Sequence, residues 1–159
     1  MTWSTAVLVL ATLGAALMAG TFFVFSVAVM PALRRLPASR AVAAMQSINA
    51  TILNPVFLGA FVGTAVLAAV LVVAGLIGGE QRGMAWMIAG GLLYLLGVFG
   101  LTIIVHVPRN ERLARADAES PSTEALWAAY LGVWLPWNHV RALASAGATL
   151  AWSVAALDR

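Results

Sequence analysis

Residues 55–77 read Pro55-Val-Phe-Leu-Gly-Ala-Phe-Val-Gly-Thr-Ala-Val-Leu-Ala-Ala-Val-Leu-Val-Val-Ala-Gly-Leu-Ile77, and they decide the class of fold. The stretch carries no charge, and Thr64 is its only side chain with a polar atom. A helix on the surface of a soluble protein keeps one polar face; this one would be apolar all round. Crossing the hydrocarbon of a bilayer takes about 20 such residues, because only there does an apolar surface face an apolar solvent. The uncharged run around it extends from Ala41 to Gly79.

Working outward, three more segments meet the same test: Ala6–Leu33, Met84–Val107 and Leu135–Leu157, the last with a single charge, Arg141. Over the whole chain of 159 residues, 62% are hydrophobic and 9% charged, against about 25% charged in a soluble domain. The expected fold is all-α, an integral membrane four-helix bundle forming one transmembrane domain over 1–159. The uncharged first stretch is longer than a signal-peptide core and lacks a basic start, so it reads as a membrane helix.

The connections differ in kind. Gly78-Gly79-Glu80-Gln81-Arg82-Gly83 is a short turn. Arg34–Asn54 is long, with Val42, Met45, Ile48 and Ile52 near helical spacing, and Glu124–Trp134 spaces Trp127, Tyr130 and Trp134 by three and four. Both predict short interfacial helices. The positive charges in the chain are all arginine, six of them in the two long connections: Arg34, Arg35, Arg40, Arg109, Arg112 and Arg115. Arg82 and Arg159 fall on the other side. The positive-inside rule then puts both long loops in the cytoplasm and both termini outside; the expected location is the inner (cytoplasmic) membrane. Clustering by loop also makes a nucleic-acid partner a poor reading of the net charge of +3. A possible internal echo links Pro31-Ala-Leu-Arg-Arg35-Leu36 with Pro108-Arg-Asn-Glu-Arg112-Leu113. Gly59 with Gly63, and Ala16 with Gly20, have the spacing that lets membrane helices approach closely, within the chain or in a homodimer.

Several functions are set aside by what is missing. There is no cysteine, hence no disulfide or thiolate chemistry. No Asp or Glu lies inside a span, which speaks against a proton-coupled exporter and against a di-iron carboxylate site. The strongly polar side chains in or beside the spans gather at the arginine-rich end: Asn49, Asn54, His106, Asn110, Asn138, His139 and Arg141. Arg141 would sit roughly 9 Å into its helix at 1.5 Å per residue, either snorkelling to the headgroups or facing inward as an anion clamp. Asn138 shares its face. Trp127, Trp134 and Trp137 fit an interfacial belt or the wall of a flat pocket. Asn54 before Pro55 is a good helix cap. Asn49 falls on the apolar face of its short helix, where an asparagine needs a polar neighbour. His106 and His139 are the only histidines, open to a base, a ligand or a capping role. They identify no metal.

The strings Met45-Gln-Ser-Ile-Asn49, Asn54-Pro55-Val-Phe57, Val107-Pro-Arg-Asn110-Glu-Arg-Leu113 and Trp127-x-x-Tyr130-x-x-x-Trp134-x-x-Trp137-Asn138-His139-Val-Arg141 resemble the anthrone-oxygenase-like family, nearly end to end. Trp-Asn-His-x-Arg is the most specific part. The resemblance implies a membrane oxygenase that uses O2 on a small hydrophobic aromatic molecule, anthrone-, phenol- or indole-like. It departs at His106, where relatives often carry Asn. On that reading His139 is the base, and Asn138, Asn49 and Arg141 hold the developing anion. Asn54, Trp134, Trp137 and Asn110 would bind substrate. Haem b is an alternative to cofactor-independent chemistry, with His106 or His139 as its axial ligand. A non-catalytic scaffold or partner-binding protein and a small-molecule carrier stand as the other readings.

Overall fold

The computed structural model describes residues 3–78 and 82–158, with side chains from Thr5 onward. Helix α1 runs Trp3–Val24, widens into a π-helical segment at Phe25–Val29 and finishes as Met30–Leu33. Helix α2 is Ala38–Ile52 and α3 is Pro55–Ile77. Helix α4 begins as Met84–Tyr94, passes through π-helical segments Leu95–Gly100 and Thr102–His106, and ends as Val107–Ala114. Helix α5 is Thr123–Leu157. No strand occurs among the described residues.

Four of these helices, α1, α3, α4 and α5, are long and apolar enough to cross a membrane. Their outer faces carry large bare hydrocarbon side chains: Ile104 is 72% exposed and Leu143 74%. Such a surface is stable only in lipid, so the chain is a multi-pass membrane protein.

With lipid as solvent, close packing holds the helices together. The lower half of the bundle shows it. Gly90 lies under Trp152, where a Cβ would stand 2.6 Å from the indole nitrogen. A Cβ on Gly91 would meet the Ala68 carbonyl oxygen at 2.9 Å. Gly14 receives the Thr64 side chain. The Trp152 indole donates to the Met87 carbonyl at 3.1 Å, and the Tyr94 hydroxyl to that of Phe61 at 3.0 Å. The sequence-motivated pairs are not these. Gly20, Gly59 and Gly63 have open space where a Cβ would be, and Ala16 is exposed. They are not contacts within this chain.

The two long connections depart from expectation in different ways. The first does contain a separate helix, α2, which buries Ala41, Val42 and Met45. The second does not. Residues 124–134 form the opening turns of α5, which continues through Pro136 without a break. Proline costs a helix one backbone hydrogen bond and a steric clash, but Trp127, Tyr130 and Trp134 are buried in one cluster with Val42 and Met45, which holds the helix on that side of the proline. Helix α4 likewise outruns its expected end at Val107 and reaches Ala114. Gln46 of α2 ties this end down, its amide Nε2 donating to the carbonyls of Leu113 at 2.8 Å and Ala116 at 2.9 Å.

The two Pro-x-x-x-Arg-Leu strings share a local backbone. Each proline, Pro31 and Pro108, sits at the start of a short α-helical stretch that follows a π-helical segment. A wider turn relieves the clash between the proline ring and the carbonyl four residues earlier. Of the short turn, Gly78, Arg82 and Gly83 are described, with Gly83 at φ 80; Gly79, Glu80 and Gln81 lie outside the described residues, as does Arg159.

Candidate functional site

Toward the arginine-rich end the packing opens into a cavity of about 180 Å³. Its walls come from all five helices. Thr21, Phe22 and Phe25 of α1 face Met45, Ile48 and Asn49 of α2; Phe57 and Phe61 of α3 close one side; Thr102 and Asn110 of α4 meet Trp134 and Arg141 of α5. Leu53, Leu58, Ile103 and Val107 form its rim. Leu53 is 66% exposed and Ile103 50%, so the cavity opens sideways, through apolar side chains, toward lipid.

Arg141 is the central group. It is buried, not snorkelling. Its Nη2 donates to Asn138 Oδ1 at 2.7 Å and its Nη1 to Thr102 Oγ1 at 3.1 Å, while Nε has no hydrogen-bond partner. The guanidinium carbon lies 4.2 Å from the centre of the Phe22 ring and 5.4 Å from that of Trp134. Thr102 is set up as an acceptor because its own hydroxyl donates to the Val98 carbonyl at 2.8 Å. No carboxylate answers the charge: among the described residues the one ion pair is the exposed Arg115–Glu111 contact at 3.3 Å. A buried cation held only by neutral dipoles and ring faces is costly, and its electrostatic demand is directed at whatever enters the cavity.

Asn138 positions Arg141 and does not itself line the cavity. It is fully buried, and its Nδ2 donates to the Phe22 carbonyl and to Ser26 Oγ, both at 2.8 Å. Ser26 lies in the π-helical segment of α1, so the bulge beside Pro31 places the hydroxyl that anchors the asparagine.

The other candidates separate into three groups. Asn49, Asn110 and Trp134 join Arg141 in the cavity wall. Asn110 Oδ1 accepts from the Tyr130 hydroxyl at 2.8 Å and from Trp134 Nε1 at 3.1 Å, which fixes the indole plane. Asn49 faces the Tyr130 hydroxyl, yet its Nδ2 finds no acceptor at hydrogen-bond geometry. His106 is buried behind the wall, its ring 5.1 Å from that of Trp134, with neither nitrogen hydrogen-bonded. The remaining three lie elsewhere. Asn54 caps α3, accepting from the backbone of Val56 and Phe57. Trp137 is 40% exposed on the outer surface. His139 is exposed beside Arg34 in an outer groove. The helix turn that buries Asn138 carries its neighbour His139 away from the cavity, so the structure does not bring the expected base to the expected anion site. Trp127 and Trp134 are buried rather than belted at an interface.

Thr102 and Ser26 escaped the sequence reading for a physical reason. Lone hydroxyls in apolar helices usually bond to the carbonyl four residues back, as Thr12, Thr21, Thr64 and Thr149 do here. Nothing local distinguishes Thr102 and Ser26, whose oxygens accept from Arg141 and Asn138 across the bundle. The fit of a haem follows from the same geometry. Neither histidine lines the cavity, so the residues present do not fit an axially ligated haem there.

The family model for anthrone oxygenase matches residues 55–151. No curated protein and no solved structure matches the chain. The matched stretch takes in Thr102, Asn110, Trp134, Asn138 and Arg141. It covers well over half of the 159 residues, and the chain therefore belongs to the anthrone oxygenase family.

Proposed function

We propose that this protein is a membrane oxygenase that takes a flat, weakly acidic aromatic molecule from the bilayer, binds its anion beside Arg141 and lets O2 add to it. Anthrone- and phenol-like compounds suit the site better than indoles, because they ionise more readily. The observation that carries the reading is the pairing of a buried, carboxylate-free arginine with an apolar cavity. Family membership supports the oxygenase class.

The chemistry needs little from the protein. An anthrone in its enol form is a phenol. Beside a guanidinium in low dielectric its anion is stabilised, the proton having been given up to water at the membrane interface before the molecule enters the cavity. The carbanion form of that anion transfers electrons to O2, and a C–O bond forms, giving a hydroperoxide after protonation. Loss of water then leaves a carbonyl. In balance, a CH2 group and O2 become C=O and H2O, with the substrate supplying four electrons. Arg141 holds the oxyanion, Thr102 and Asn138 hold Arg141, and Phe22, Phe61 and Trp134 supply flat walls that exclude water.

The test is oxygen uptake by the protein in proteoliposomes across a panel of anthrones, naphthols and indoles. One O2 consumed per quinone formed, above a protein-free lipid blank, supports the reading. No uptake or product with any of them overturns it, and flux of unchanged compound would assign the cavity to a carrier. A Soret band in the purified protein that shifts with dithionite would move the redox step to haem.

A further inference from the structure

A second groove lies outside the cavity. Arg109 and Arg112 near the end of α4 share a groove with the first turns of α5, and Leu113, Ala129, Tyr130 and Val133 complete its wall. No acidic residue lines it. Arg112 has no hydrogen-bond or ion-pair partner among the described residues. The neighbouring acid, Glu111, is taken up by Arg115 at 3.3 Å. Arg109 is pinned through Nη1 to the Val105 carbonyl at 2.7 Å, so its guanidinium is held in place before any ligand arrives. Along α4, Arg109 and Arg112 lie roughly 38 and 42 Å from Met84 at 1.5 Å per residue. The hydrocarbon spans about 30 Å and the bilayer with its headgroups about 40–45 Å. Measured from a span that opens at Met84, the two arginines therefore lie past the hydrocarbon, on its headgroup side.

We infer that this groove binds the phosphodiester headgroup of an anionic phospholipid. The charge is complementary, the depth is right, and an apolar wall beside a basic pair accepts the glycerol and first acyl carbons where a soluble phosphate has nothing to bury. The inference does not depend on the oxygenase reading.

The experiment measures lipid retention by native mass spectrometry of the full-length protein, after exchange into mixed micelles of phosphatidylglycerol and phosphatidylcholine. The wild-type protein should retain phosphatidylglycerol with roughly 30-fold preference, the effect of two arginines near a lipid surface. The Arg109→Gln, Arg112→Gln double variant should lose that preference. The Arg35→Gln, Arg40→Gln double variant removes equal charge elsewhere and should keep it. No preference in the wild type overturns the proposal, as does equal loss in both double variants. So does displacement of the lipid by millimolar inorganic phosphate, which would make the site one for a soluble anion.

Discussion

Around Trp152 the four spanning helices meet through glycines set against ring, side chain or backbone, and the indole and phenol hydrogens both find carbonyls. Around Arg141 the same helices stand apart around a cavity, wide π-helical turns replace regular ones in α1 and α4, and His106, Asn49 and Arg141 keep polar atoms without partners. One end is packed to the limit and the other carries unmet polarity. Unsatisfied buried groups cost stability, and such costs persist only where the rest of the fold over-determines the geometry. The tight half is what lets the open half exist.

That contrast predicts different kinds of failure at the two ends. The largest loss of stability belongs to Trp152→Ala, at about 3–5 kcal/mol. Removing the ring leaves a void over Gly90 and takes away the indole donor to the Met87 carbonyl, and unfolding monitored in mixed micelles should show it. A small change would mean the lower half is not the anchor. Arg141→Met should do the opposite. Oxygen uptake with an anthrone should drop by about 10²–10³-fold, the usual effect of losing an oxyanion donor. The unfolding midpoint should stay or rise, since an apolar side chain replaces a buried charge. Parallel loss of fold and activity would make Arg141 structural and erase the contrast. Asn138→Ala sits between the two. It strands the Arg141 Nη2 donor and removes the side-chain donor to the Phe22 carbonyl and Ser26, costing about 1–3 kcal/mol; uptake should fall as well because Arg141 is no longer held, with Asn138→Asp recovering the fold better than alanine does. His139→Ala should shift stability by less than about 0.5 kcal/mol, as for other surface positions, and leave uptake near wild type. A large loss of uptake there would restore His139 to the reaction and require the cavity to reach the outer groove.

The sequence reading and the structure agree where hydrophobicity alone decides. The bounds of α3 at Pro55–Ile77 are those of the span expected inside the uncharged run, and Asn54 caps it as its type and place suggest. Disagreement begins at prolines. Pro136 reads as a helix start and is an interior residue; Pro108 reads as an end and is not one. Local propensity argues for a break at each, and the burial of Trp127, Tyr130, Trp134 and Leu113 outweighs it. The glycines show the same limit, because Gly59 and Gly63 have the familiar spacing while Gly14, Gly90 and Gly91 make the close contacts.

What the chain determines by itself is its solvent, its four crossings and the gathering of polar groups at one end. These follow from transfer free energies that add residue by residue. Which polar groups meet was decided only in three dimensions. Adjacent helix positions point about 100° apart, so Asn138 turns in to Arg141 while His139 turns out, and two ordinary-looking hydroxyls from distant helices are drawn in, Thr102 as a partner of the central charge and Ser26 as a partner of the asparagine that holds it.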